Sequence, residues 1–95
     1  MEEKEKIKLK EFLKEKKLPY GSEAIKILDI FIYSNTHIPE DFILSMFNRS
    51  EEDNIKNILI DIKWKKYIDS YKHLGIKVWN MPKDIKETLK SIIES

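Results

Sequence analysis

The feature that most constrains this chain is a change of apolar period at Lys63. Upstream of it, Ile55, Ile58, Leu59 and Ile62 fall at i, i+3, i+4 and i+7, which is one face of an α-helix. Downstream, Trp64 to Tyr71 and Ile76 to Asn80 are short segments rich in aromatic and β-branched residues. They flank Lys72-His73-Leu74-Gly75, a glycine-containing loop of hairpin length. The switch predicts a helix that runs directly into a β-hairpin.

The rest of the chain reads as helices around that junction. Residues 2 to 17 alternate Glu and Lys about Ile7, Leu9, Phe12 and Leu13, a narrow apolar stripe that should stop before Pro19. Ser22 is a suitable N-cap for a helix over 22 to 34, which is apolar on more than one side and therefore expected at the centre of the core. Ser34-Asn35-Thr36-His37 is a polar break, with His37 read as a turn residue. A third helix over 39 to 48 would start on Pro39, Glu40 and Asp41 and bury Phe42, Ile43, Met46 and Phe47. Ser50-Glu51-Glu52-Asp53 has the form of a capping box and would start a fourth helix, 50 to 63. Beyond Pro82, Ile85, Leu89, Ile92 and Ile93 return to helical spacing.

Composition bounds the class. Ninety-five residues, 37% charged and 41% hydrophobic, are expected to form one domain over residues 1 to 95 with a charged surface. No apolar run approaches the roughly 18 residues of a membrane span, and the charged start lacks the apolar stretch of a signal peptide, so a cytoplasmic protein with no membrane partner is expected. The absence of cysteine excludes disulfides, thiolate nucleophiles and the usual zinc sites. His37 and His73 are too few and too separated to suggest a metal site, and there is no Gly-rich phosphate loop or Ser/His/Asp arrangement, so neither an enzyme nor a cofactor is implied. Arg49 is the sole arginine among 18 basic residues, and Gln is absent. Thermophile proteins show this bias, and AT-rich genomes produce a similar Lys and Ile excess.

Charge is divided along the chain. Residues 18 to 62 carry eight acids against three bases, net −5, whereas residues 63 to 83 carry six lysines against Asp69, net +5; the ends contribute +2 and −1, giving the overall +1.

Three helices followed by a hairpin, with a tight turn between the second and third, resemble the winged helix-turn-helix superfamily. The matching core would be 22 to 80, with 64 to 80 as the wing, a mainly α architecture with a small β-hairpin. The N-terminal helical arm, 1 to 19, and the C-terminal helix, 82 to 95, lie outside that core and resemble the dimerisation arms of winged-helix regulators, which implies a homodimer through the terminal helices. Ile38-Pro39-Glu40-Asp41-Phe42 with Ser50-Glu51-Glu52-Asp53 is also similar to winged-helix segments of STAND-type ATPases, which pack between protein domains. The superfamily resemblance implies a small transcriptional regulator that binds double-stranded DNA; the narrower one implies a protein partner and no DNA.

The fourth helix would be the recognition helix. With 55, 58, 59 and 62 buried, its outward positions include Asp53, Asn54, Lys56, Asn57, Ile60 and Asp61. Asn54 and Asn57 have the groups to pair with adenine edges, and Lys56 with guanine or phosphate. Against this, Glu51, Glu52 and Asp53 occupy the end that normally enters the groove, where they would repel phosphate or else serve only to complement the helix dipole. Arg49, in the turn, can reach the DNA backbone or pair with Glu52 or Asp53. The hairpin is the more basic surface: Lys63, Lys65, Lys66, Lys72, His73 and Lys77 are candidates for phosphate contact, or for solubilising an exposed edge. Trp64 and Trp79 are read as core or helix-packing residues ahead of base-stacking platforms. Ile60, an apolar residue on an outward face, points with Asp53 and Asp61 to the alternative, a protein-interaction surface.

Overall fold

The computed structural model describes residues 2–34 and 37–95. Glu3–Glu15 forms α1, whose stripe buries Leu9 and Leu13 and half-buries Phe12, while Ile7 remains 55% exposed and is not part of the core. Ser22–Tyr33 forms α2 and buries Ala24, Ile27, Leu28, Phe31 and Ile32, as expected for a helix apolar on several sides. Its N-cap is Gly21; Ser22, expected in that role, is the first helical residue. Of the polar break expected over 34 to 37, Asn35 and Thr36 lie outside the described residues.

His37–Pro39 is β1, so His37 sits in a strand rather than a turn. Glu40–Ser45 then forms α3, six residues long and shorter than the expected 39 to 48. The Ser45 hydroxyl donates to the Phe42 carbonyl at 2.6 Å, and Met46 and Phe47 N–H donate to Ile43 and Leu44, tightening the end of the helix. Ile43 is its fully buried side chain; Phe42 and Met46, also expected inside, are exposed. Ser50 does not cap the fourth helix, which starts at Glu52, later than expected. Asn48 and Glu51 form a reciprocal capping box around a 3₁₀ turn, Arg49–Glu51, and α4 follows over Glu52–Trp64. Ile55, Ile58, Leu59 and Ile62 are buried, in the expected order.

α4 therefore runs through Trp64, and the first strand of the hairpin starts five residues later than expected: β2 is Asp69–His73 and β3 is Ile76–Asn80. His73 pairs with Ile76, leaving a two-residue loop, Leu74-Gly75, instead of four. Both loop residues have positive φ (53° and 80°), as a type I′ turn requires. The hairpin is not alone. β1 pairs antiparallel with β3 in register His37–Asn80, Ile38–Trp79, Pro39–Val78, giving a three-stranded sheet ordered β1-β3-β2. The chain is thus mainly helical with a small antiparallel sheet.

Lys83–Glu94 forms α5, which packs on both α1 and α2 and buries Leu89 and Ile93. Apart from Ile7, the apolar stripes of both terminal helices are covered within the one chain. Among the described residues no helix is long and apolar enough to cross a membrane.

A candidate nucleic-acid interface around Trp64

α1 and α4 end in the same way. After α4, Lys66 N–H donates to Lys63 O (2.8 Å) and Tyr67 N–H to Ile62 O (3.3 Å); after α1, Lys17 N–H donates to Lys14 O (3.1 Å) and Leu18 N–H to Leu13 O (2.9 Å). This is the Schellman pattern, whose C′ residue must adopt the left-handed conformation and is usually glycine. Here it is lysine twice, Lys17 at φ 57° and Lys66 at φ 66°. The apolar residue after each lysine, Leu18 or Tyr67, turns back towards the core.

The two endings meet at Trp64. Expected in the core, Trp64 is 79% exposed, whereas Trp79 is 1% exposed as expected. The reason is phase: Asp53, Asn57, Ile60 and Trp64 follow at steps of four, three and four along the side of α4 opposite its buried residues. On one side of Trp64 lies a groove of about 420 Å³ lined by Lys17, Leu18, Pro19, Asp61 and Lys65 together with Trp64 itself. On the other lies a groove of about 300 Å³ whose lining is Ile60, Lys63, Lys66, Lys77 and Trp79, again with Trp64. Trp64 is thus a ridge between two grooves that contain five lysines and one acid, Asp61.

The sheet supplies the far wall. Ile38, Trp79 and Ser70 are in register across the three strands. Lys77 and Lys72, two residues along, share their face because strand side chains alternate. The Lys77 ammonium lies 4.8 Å from the centre of the Trp79 ring and 4.0 Å from Glu40. Lys63 donates to the Ser70 hydroxyl at 2.9 Å and lies 4.0 Å from Asp69, so the end of α4 is tied to β2. Lys72 and Lys77 are direct cross-strand partners, an arrangement that like charges disfavour and that a bound anion would relieve. The Trp79 indole N–H has no hydrogen-bond partner among the described residues.

Of the residues read from sequence, Lys63, Lys65, Lys66 and Lys77 come together around Trp64, with Ile60 and Asp61 beside them. Lys72 shares their sheet face. His73 lies on the other face, the one on which His37 Nδ1 and the Tyr71 hydroxyl share a hydrogen bond of 3.0 Å. Asn54, Asn57 and Asp53 are exposed towards the acidic start of α4, and Lys56 is paired with Glu52 at 3.4 Å. Arg49 is exposed, and among the described residues it forms an ion pair with neither Glu52 nor Asp53. The structure adds Lys17 to this set and moves Trp64, read as core with base stacking as the alternative, to its centre. Their signals were the i, i+4 relation of Ile60 to Trp64, and the repeated Lys-Lys-apolar step at 16–18 and 65–67. No protein-family model, curated protein or solved structure matches the chain.

Proposed function

We propose that this chain is a winged helix-turn-helix protein that binds DNA through the basic surface between the end of α4 and the hairpin. The order α2, β1, α3, α4, β2, β3 with strands ordered β1-β3-β2 supports the fold reading, since a winged helix requires a short strand that closes the hairpin against its helices. The observation that carries the functional reading is the convergence of Lys17, Lys63, Lys65, Lys66 and Lys77 on the two grooves beside Trp64. Lysines drawn from three separate parts of the chain form a field that attracts a polyanion. The acidic start of α4 points to backbone contact by the far end of that helix and the wing, with base reading by Asn54 and Asn57 secondary. Terminal helices with covered stripes leave Ile7 as the apolar residue of α1 open to a homodimer contact.

Titration of a labelled mixed-sequence duplex over a range of salt tests this. Five phosphate contacts give a log–log slope of about −4.5, and Lys65→Glu with Lys66→Glu should reduce both affinity and slope. Absence of binding at low salt, or indifference to the double substitution, would overturn it.

A second reading is favoured by one observation: Ile60 and Trp64 stand exposed a turn apart on α4, with Asp53 and Asp61 nearby, as a protein-docking face would require. Under that reading Ile60→Asp leaves folding intact and abolishes recovery of a protein partner, while duplex binding is absent.

A further inference from the structure

We infer that Trp64 is a stacking platform for an unpaired nucleobase, so that the preferred ligand is DNA with single-stranded bases beside a duplex. This rests on the DNA-binding reading and narrows it. Within a B-form duplex both faces of every interior base are covered by neighbours, and a protruding indole finds no partner there. A base in an overhang, nick or loop has a free face, and aromatic stacking beside phosphate-binding lysines is how single strands are held without sequence preference.

The surroundings of Trp64 fit that ligand in three respects. The ring is 79% exposed at the last residue of α4 and projects as a ridge, offering a face instead of receiving an inserted side chain. Lysines lie on both sides, Lys17 and Lys65 in one groove and Lys63, Lys66 and Lys77 in the other, as the phosphates before and after a stacked nucleotide require. The groove towards the sheet has an apolar floor, Ile60 and Trp79, and its 300 Å³ is at the small end of ligand sites, suited to one planar group. A protein partner that engulfs Trp64 in a pocket of its own is the competing occupant. It has less need of lysines on both sides.

Anisotropy of a labelled ligand gives the affinity of every variant, and the quenching lost in Trp64→Phe, in which Trp79 is the remaining indole, is that of Trp64. The probes are a blunt duplex, the same duplex with a short 3′ overhang, and a single strand of mixed sequence. The overhang duplex should bind about 5- to 150-fold more tightly than the blunt one, the range that one stacked base supplies. Trp64→Ala should erase that ratio, Trp64→Phe should retain part of it, and Lys65→Glu with Lys66→Glu should weaken all three ligands together. Circular dichroism confirms that the Trp64 variants fold. Equal affinity for blunt and overhang duplexes, with the lysine variant still impaired, overturns the stacking role and leaves the duplex reading in place. Equal loss on every ligand in Trp64→Ala also overturns it, because the ring then packs on the backbone. Absence of binding to all three at low salt removes both, and Trp64-dependent recovery of a protein in its place assigns the ridge to that partner.

Discussion

Replacing Lys17 and Lys66 by glycine, one at a time, sets the backbone preference of each position against its place on the basic surface. Both residues are at the C′ position of a Schellman ending, at φ 57° and 66°. A left-handed conformation costs an L-residue roughly 1–2 kcal/mol, which glycine avoids. Glycine in turn loses more chain entropy on folding, offsetting roughly 0.5–1 kcal/mol. Each substitution should therefore stabilise the fold by about 0.5–1 kcal/mol. For a domain of this size that raises the melting temperature by roughly 2–8 °C.

Each substitution also removes a lysine that lines a groove beside Trp64. DNA affinity should fall while stability rises, and the salt slope should become less steep by about 0.9 per lysine. Alanine at the same positions is the control, since it deletes the charge but retains a Cβ in the strained conformation. Lys17→Ala and Lys66→Ala should lose the same affinity with no gain in melting temperature. Thermal unfolding by circular dichroism and duplex titration on the same samples decide it. An unchanged or lower melting temperature in both glycine variants would refute the backbone argument. Unchanged affinity in Lys66→Gly would refute the placement of that lysine at the DNA surface.

Among the described residues Leu74 is the third non-glycine residue with positive φ, at 53°, and its side chain is 89% exposed at the tip of the hairpin. Asn tolerates that conformation far better, so Leu74→Asn should raise the melting temperature by a few degrees; a fall would show that the leucine is held by packing. A second expectation concerns pH. The Glu5 carboxylate accepts from Glu2 N–H at 3.0 Å and from the Tyr33 hydroxyl at 3.1 Å, and the backbone bond above all, with the Tyr33 bond assisting, holds its pKa below the ordinary value. Loss of hydration, and then the facing Glu5 carboxylate, pushes the Tyr33 pKa up. The Glu5 contribution to stability is present above the ordinary carboxylate pKa and is lost as pH falls through the lowered folded value. That of Tyr33 is present below the ordinary phenol pKa and is lost as pH rises through the raised one. Both groups are at the surface, so Tyr33→Phe should flatten the stability curve slightly at each end. Urea unfolding across the pH range that left the two proteins parallel would contradict the pair.

What could be read in advance divides by the range over which its cause acts. The buried faces of α2, α4 and α5 follow from spacing within one helix, and Ile55, Ile58, Leu59 and Ile62 needed no partner to declare themselves. β1 has three residues of which Ile38 alone is buried, and what makes it a strand is pairing with β3 some forty residues on, which no local pattern encodes. α3 is shorter than its local pattern suggests: it stops at Ser45 with Met46 beyond its end, and Phe42, though within it, lies on the exposed side while Ile43 is buried.

The candidate site fails in the sequence at one informative place. The aromatic residues clustered after Lys63 read as a strand, which puts the Trp64 side chain in the core. Continuing α4 by a single residue places Trp64 in line with Asn57 and Ile60, away from Ile55, Leu59 and Ile62, so the same periodicity that found the core also predicts the exposed ring. Once it is outside, the charge division along the chain acquires a location. The +5 segment begins with the lysine that precedes Trp64, and Lys17, just past the end of α1, joins it through the fold alone. Two lysines hold left-handed positions that glycine would occupy at lower cost, and both line the grooves beside the same exposed tryptophan. Strain retained beside one surface feature, by two helix endings that are independent in sequence, is the physical reason to look for function there.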